Sequence, residues 1–483
     1  MWLPGKAPAA LAAVASGYWL WHRRPVRTPP GTVAAPLAWA GADNIPVIGI
    51  ITRLKSVITD PVGLVVRNRE KYGDVFTLRV PSIYDFTFLL DGAHYQQVMS
   101  LPTDHAGIGE VLHRVPTVGY WFPREKSGPE SLQALILTGR MLMAKMLPAS
   151  QVDQLNDNVP DIVGRHTASW SGTVDLTEVV HPIVYEATGR YFAGDAVWDA
   201  LGPRLTRYYR HISDGIDIPR TTLSITPYHY LMPEYRLTRK LYRMLRDALP
   251  LFERSSSPLL QAIDAARLEG QPLAEADKLW MFMYVLWNAT AYPGTYTYWT
   301  LVDVLTQPGL IDRVRGLEGQ PEQMDLLRRC LAESVRLHPV SSLIRYLDKP
   351  LEFELDGKTC HIPAGQAVGV FPGTLNRDPS RIPGDPEAYE PDRYLRTPEP
   401  ATASFGRGPF GCVAQRFSEV VTATIIAELL ANFDISLVGQ LPTRRERVHQ
   451  TYPGSPPRAQ LTPRTRLPAR EESACARSVP ISI

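Results

Sequence analysis

Apolar residues along this chain fall into runs whose spacing changes from helical to strand-like. Leu327, Leu331 and Val335 recur at four-residue steps, and Val413, Phe417, Val420, Val421, Ile425 and Leu429 repeat a helical interval further on. Each set predicts a helix with one continuous apolar side. On the first of these helices Glu333 and Arg336 stand three residues apart, the spacing of an ion pair on one helical face. Between the two helices the period drops to two. Leu351-Glu352-Phe353-Glu354-Leu355 alternates, Asp356-Gly357 supplies a hairpin turn, and Ile362-Pro363-Ala364-Gly365 leads into Val368 and Val370. The ends differ from the middle. Ala7 to Trp21 is uncharged and is followed by His22-Arg23-Arg24 and by Thr28-Pro29-Pro30-Gly31, while no period is visible from Pro468 onward. These limits predict an apolar leader and Pro-rich hinge over 1–30, a folded body over 31–467 and a flexible tail over 468–483.

The second helix begins beside the most informative residue of the chain. Phe405-Gly406-Arg407-Gly408-Pro409-Phe410-Gly411-Cys412-Val413-Ala414 sets one cysteine after a glycine-rich loop, at a helix N-terminus. The three glycines allow positive φ and a close backbone approach to a flat group. Unpaired N–H groups and the helix dipole are expected to lower the thiol pKa there and to favour the thiolate. One thiolate offered from such a loop is what a haem iron with an axial cysteine requires.

Composition narrows the class without naming it. Hydrophobic residues make up 44% of the 483, ample for a large core, and 51 basic residues against 49 acidic ones give no nucleic-acid signature. No Gly/Ser linker, internal repeat or low-complexity block divides the middle. Cys330, Cys360, Cys412 and Cys475 have neither disulfide nor metal-site spacing, which suits a reducing compartment. The uncharged run from Ala7 to Trp21 is shorter than the ~20 residues that span a bilayer. With Tyr18, Trp19, Trp21 and the flanking arginines it fits an interfacial membrane anchor that leaves the main domain on the cytoplasmic side.

The cysteine loop resembles the haem-ligand loop of the cytochrome P450 family, Phe-x-x-Gly-x-x-x-Cys-x-Gly, with Ala414 in place of the last glycine. Glu333-Ser334-Val335-Arg336, followed by Leu337-His338-Pro339, is similar to the family's Glu-x-x-Arg pair. Tyr389-Glu390-Pro391-Asp392-Arg393-Tyr394 resembles the segment whose arginine completes that pair. Asn376-Arg377-Asp378-Pro379 lies between them in order, and Asp60-Pro61 with Lys71-Tyr72-Gly73-Asp74-Val75-Phe76 looks like the family's first helix and strand. The likeness spans roughly Ile45 to Pro463. It implies the cytochrome P450 fold: a mainly α chain with small β-sheets (α+β), forming a single large haem domain. It implies heme b with Cys412 as the axial iron ligand, in a loop shaped by Phe405, Gly406 and Gly408. Glu333, Arg336 and Arg393 become a buried network that holds the core. A lipophilic small-molecule substrate and a NADPH reductase or ferredoxin as electron donor follow from the same likeness. So does membrane anchorage through the leader, at the endoplasmic reticulum in a eukaryote.

The sequence departs from the family where its chemistry is decided. The resemblance places the helix that crosses the haem face at Trp280 to Leu305. Most oxygen-activating members carry an acid and then a threonine near its centre. Aligned on Leu286-Trp287 and Tyr298-Trp299, those positions here are Tyr292 and Pro293. The flanking pairs look like those of the prostacyclin synthase and sterol hydroxylase branch. Pro293-Gly294 is expected to break or kink the helix, and Thr290, Tyr292 and Thr295 remain as candidate proton donors. Phe410 stands where a basic residue often reaches a haem propionate, so Arg345, Arg140 and Lys145 are the candidate propionate partners. Asp104 to Phe122 and Tyr208 to Tyr235 occupy the places of the substrate-facing loop and lid helices. Val115, Val118, Tyr120, Trp121, Phe122, Tyr228, Tyr230, Leu231 and Met232 make them apolar, as a lipophilic ligand requires. Three functions are consistent with these residues. One is a monooxygenase using dioxygen and reductase-supplied electrons. Another is an isomerase or dehydratase needing neither, favoured by Tyr292-Pro293. The last is a non-catalytic haem or ligand-binding protein, favoured by Phe410.

Overall fold

The computed structural model describes residues 17, 24–38, 60–80, 84–114, 129–168, 170–215, 230–255, 257–268, 270–339, 342–396, 403–446 and 451–464. The expected membrane leader (except Gly17), the expected C-terminal tail and Val115, Val118, Tyr120, Trp121, Phe122 and Tyr228 lie outside them. Among the described residues no helix is long and apolar enough to cross a membrane.

Helix α1 (Pro61–Tyr72) starts where Asp60 accepts the Gly63 N–H at 2.9 Å, with Pro61 pre-set for the first turn. It leads into β1 (Val75–Val80), β2 (Tyr84–Leu89), α2 (Gly92–Met99) and the short β3 (Ala106–Gly107). The helical body follows as α3 (Pro129–Met146), α4 (Leu155–Thr167), α5 (Leu176–Ala193) after a short β4 (Gly172–Asp175), α6 (Asp195–Gly215), α7 (Pro233–Asp247), α8 (Glu275–Thr306) and α9 (Pro321–Leu337). Next come β5 (Leu343–Leu347), β6 (Leu351–Leu355), β7 (Lys358–Ile362) and β8 (Ala367–Val370). The chain closes with α10 (Gln415–Asn432), β9 (Phe433–Val438), β10 (Arg444–Glu446), β11 (Thr451–Pro453) and β12 (Arg458–Pro463).

The expected division into many helices and small sheets is therefore observed. One sheet has the order β1-β2-β8-β5-β3, parallel only where β8 meets β2. A second joins β9, β12 and β4. The alternating segment forms the β6–β7 hairpin, and Asp356 (φ 51°) and Gly357 (φ 73°) both adopt the positive φ that a two-residue turn of this hand demands.

Helix α8 runs through the centre, packed against α3, α5, α9 and α10. Its 32 residues extend about 48 Å at 1.5 Å per residue. Nearly every position from Leu279 to Val304 is buried, so it is apolar all round, as a core helix must be. The expected break at Pro293-Gly294 does not occur: α8 is continuous through both residues. Packing on several sides outweighs one lost backbone bond. Gly294 has a separate reason to be glycine, since a Cβ there would stand 2.9 Å from Cδ2 of His181 on α5.

Candidate haem site

The cysteine loop hangs from a set of short hydrogen bonds. Cys412 donates its N–H to the Phe405 carbonyl at 2.7 Å, and Gly411 donates to Gly408 at 3.0 Å. Gly406 (φ 66°) and Gly408 (φ 63°) take positive φ; Gly411, at φ −60°, does not. At Gly408 the reason is contact with protein, because a Cβ would lie 2.1 Å from the Met99 carbonyl at the end of α2. Asn376 fixes the start of the loop. Its Oδ1 accepts from the Ala403 N–H at 2.7 Å, and its Nδ2 donates to Ser404 Oγ and to the Arg336 carbonyl, both at 3.2 Å. In the sequence Asn376 marks only the order of the motifs, and its part in holding the loop emerges from the folded chain.

Behind the loop Glu333, Arg336 and Arg393 are all fully buried. Arg336 grips Glu333 with two bonds of 2.8 Å, and Arg393 Nε lies 3.4 Å from the same carboxylate. Both guanidiniums also donate to backbone carbonyls of the segment from Asn376 to Ala388. This is the network expected from the sequence, and it ties α9 to the chain that carries the cysteine loop.

Cys412 is accessible to solvent, while the protein on its other sides desolvates the sulfur and raises the thiol pKa. The Ala414 N–H and the charge of Arg140 pull it down less than burial lifts it. The expected lowering by the helix N-terminus therefore fails. Helix α10 starts at Gln415 with Ala414 as its cap, so the sulfur lies ahead of the first turn. Its deprotonation is left to a bound metal ion, which deprotonates a ligand thiol outright.

The charges around the loop are consistent with haem. The guanidinium carbons of Arg140 and Arg345 stand 6.0 and 4.6 Å from the ring centre of Phe410. Arg140 donates to the Gly411 carbonyl. Arg345, on β5 opposite Val368, is 4% exposed, and it donates a hydrogen bond to the adjacent Ile344 carbonyl at 2.9 Å. Burial, with the charge of Arg140 second, lowers its pKa to about 10. Neither arginine meets a carboxylate among the described residues. A buried guanidinium without an anion is costly, so the pair is suited to the propionates of haem. Lys145, the third expected partner, lies on the exposed side of α3 and is not brought to the loop. Replacing Arg345 with glutamine is expected to weaken haem retention by roughly 10- to 100-fold, the value of one charge-assisted bond. Transfer of haem to a scavenging apo-globin measures it, and Lys145→Gln should leave the rate unchanged.

Across from the loop, α8 turns two tyrosines toward Cys412. Tyr296 packs its ring 6.4 Å from that of Phe405, and the Cys412 sulfur raises the phenol pKa of both Tyr292 and Tyr296. Desolvation is the larger cause and keeps both protonated, so Tyr292 can act as a donor. Tyr296 was not singled out from the sequence, though its four-residue step from Tyr292 puts it on the same face. The other expected donors point elsewhere. Thr290 lies about 200° around the helix from Tyr292 and gives its hydroxyl to the Leu286 and Trp287 carbonyls at 2.9 and 3.1 Å. Thr295 bonds the Ala291 carbonyl at 3.3 Å and borders a cavity facing α5 and α6. Of the lid residues described, Tyr230 and Leu231 are 58% and 65% exposed and Met232 is buried.

Fold and loop together define a haem-thiolate protein. The cytochrome P450 family model matches residues 312–456. A sterol 14alpha-demethylase of Mycobacterium tuberculosis is 23% identical over 412 residues, covering 80% of this chain and 89% of its own. An obtusifoliol 14-alpha demethylase of Triticum aestivum is 24% identical over 433 residues, covering 82% and 92%. The retinoic acid-bound cyanobacterial CYP120A1 structure superposes with a TM-score of 0.69 at 17% identity, over 84% of this chain and 95% of that one. The chain belongs to the cytochrome P450 family, whose members bind haem through a cysteine thiolate, and it is an oxidoreductase.

Proposed function

We propose that this protein is a monooxygenase that places one oxygen atom from dioxygen on a lipophilic, sterol-like molecule, drawing electrons from a separate reductase or ferredoxin. The observation that carries the reading is the solvent-accessible Cys412 loop, with two guanidiniums beside it that meet no carboxylate among the described residues and the Tyr292 face of α8 across from it. Bound haem supplies the oxygen-activating chemistry, and thiolate ligation favours O–O cleavage. The chain does the rest. Cys412 provides the thiolate, Arg140 and Arg345 receive the propionates, and Phe405, Gly406 and Gly408 set the loop that presents the sulfur. The Tyr292 hydroxyl, held protonated by burial, would be available as a hydrogen-bond donor on the side of the site across from the loop. The demethylase relatives support a polycyclic, apolar substrate.

A second reading has one observation in its favour. The residue at the family's acid position is a neutral phenol, so chemistry without dioxygen, on an already oxidised substrate, is the alternative. Incubation of haem-loaded protein with obtusifoliol and with a mixed lipid extract separates them. Products heavier by one oxygen, formed only with reductase and reduced nicotinamide, are expected. Products of unchanged mass, or lighter by one water, formed without reductant would overturn the monooxygenase assignment.

A further inference from the structure

Helices α6 and α7 are packed against each other, and between them lies a surface groove of about 630 Å³. Its charged lining is of one sign. Arg204, Arg207 and His211 come from α6, Arg236 and Lys240 from α7, and among the described residues no carboxylate lines the groove. On α6 the three fall at steps of three and four, so they share one face and span about 10 Å. On α7 the step of four spans about 6 Å. All five side chains are exposed, and none of them meets a carboxylate among the described residues.

The acids of these two helices are committed elsewhere. Asp195 and Asp199 of α6 both hold Arg190 of α5, at 2.8 and 2.7 Å, and Asp214 lines a separate cavity beside α5 and α8. Arg210 of α6, unlike the groove arginines, has its own acid, Glu178 at 2.6 Å. On α7, Glu234 is 5% exposed and packs against Gly215, and Asp247 closes the helix beside Arg246 at 3.6 Å. In a chain of 51 basic and 49 acidic residues, four fixed cations lining one groove without an acid are a local separation of charge. Like charges sharing a groove repel, and a bound anion relieves the repulsion.

The form of the groove selects the anion. Three of the four cations are arginines, whose planar forks pair with phosphate oxygens two at a time. A single phosphate meets only part of a row about 10 Å long, so charge spread over several phosphate groups fits better. Tyr208, half-buried in the same lining, adds a neutral hydroxyl donor. The volume lies within the roughly 300–1,000 Å³ of small-ligand sites. We propose that the α6–α7 groove is a binding site for an anion carrying two or more phosphate groups. Soluble polyphosphates and phosphorylated lipid headgroups share this chemistry. The groove has no residue in common with the Cys412 site, and the proposal does not depend on the monooxygenase reading.

The test uses the haem-loaded full chain and inorganic tripolyphosphate, followed by titration calorimetry and by melting temperature. One tripolyphosphate per chain is expected, with a rise in melting temperature and an affinity that falls steeply with salt. Arg207→Glu with Arg236→Glu should lower the affinity about tenfold or more, because two pairings are lost and two repulsions added. Both positions are exposed, and reversing them relieves the crowding of like charge, so without ligand this variant should melt no lower than the parent. Arg207→Gln with Arg236→Gln adds no repulsion and should fall between the two. Vesicles of phosphatidylcholine containing a bisphosphorylated phosphatidylinositol identify the source. Retention on them that tripolyphosphate competes away, and that the reversed variant loses, assigns the site to a lipid headgroup. Tripolyphosphate binding without such retention assigns it to a soluble polyphosphate. Citrate bound as tightly as tripolyphosphate would overturn the phosphate assignment. Absence of both tripolyphosphate binding and vesicle retention, or binding that survives both variants unchanged, would overturn the site itself.

Discussion

Replacement of Cys412 with serine is expected to abolish oxygen insertion while leaving the fold in place. The side chain is accessible and lies outside the buried core, serine is close to it in size, and the loop is held by backbone bonds that serine keeps. The chemical loss is complete for a different reason. A serine hydroxyl is far less acidic than a thiol and does not supply the electron density that favours O–O cleavage. Two measurements separate ligation from folding. The melting temperature should move little, whereas the red-shifted Soret band that a thiolate gives the reduced carbon monoxide adduct should vanish. The parent thiol adds a pH dependence. Burial raises its pKa, so the metal-free thiol stays protonated at neutral pH and haem loading must release a proton. Haem uptake should therefore strengthen as pH rises toward the thiol's range, and this slope should be absent in Cys412→Ser. A serine variant that retains both band and activity would remove Cys412 from the site.

Much of this architecture was legible because it depends on patterns that physics ties to spacing. The β6–β7 hairpin followed from a period of two and an Asp-Gly turn, and both turn residues do take positive φ. The buried triad of Glu333, Arg336 and Arg393 followed from motifs with fixed separations. What was lost belongs to side-chain direction and to energy balances across the fold. Thr290 and Tyr292 are neighbours in sequence but face nearly opposite sides of α8, while Thr295, one turn from Tyr292, turns to a cavity beside α5 and α6; only a wheel fixed by packing decides which residue meets the loop. Pro293 predicts a break by local cost alone; α5, α9 and α10 supply the compensation from far along the chain. The thiol pKa failed for the same reason, since desolvation by distant segments outweighs a local dipole. Lys145 and Arg140 lie on one helix, yet only Arg140 sits on the turn beside Phe410.

The largest loss of stability is expected at Glu333. Its carboxylate is fully buried, is gripped twice by Arg336 at 2.8 Å, and also accepts the Glu390 N–H at 2.9 Å. Glu333→Ala would strand the buried Arg336 guanidinium and leave Arg393 with only the half-exposed Glu390, 3.5 Å away, at about 3–5 kcal/mol. Against a typical total of 5–15 kcal/mol this takes a large share of the protein out of the folded state, read as a lower denaturant midpoint and a poor yield of haem-loaded protein. Glu333→Gln keeps an acceptor but not the charge, and should be nearly as damaging. Removing the whole charged set is not expected to rescue the fold, although elsewhere apolar replacement of a buried ion pair can be neutral. The arginines here have a second duty. Arg336 donates to the Asn376 and Ala388 carbonyls at 2.9 and 3.0 Å, and Arg393 to the Asp385 carbonyl at 2.9 Å. A triple apolar variant, Glu333→Leu with Arg336→Met and Arg393→Met, would relieve the stranded charge but leave the buried Asn376 carbonyl without its arginine donor, at about 1–3 kcal/mol, and would also remove the arginine donors of the half-buried Ala388 and exposed Asp385 carbonyls. Its midpoint should stay well below the parent's. A triple variant as stable as the parent would show that the network acts as charge balance alone and that the segment from Asn376 to Ala388 holds itself in place.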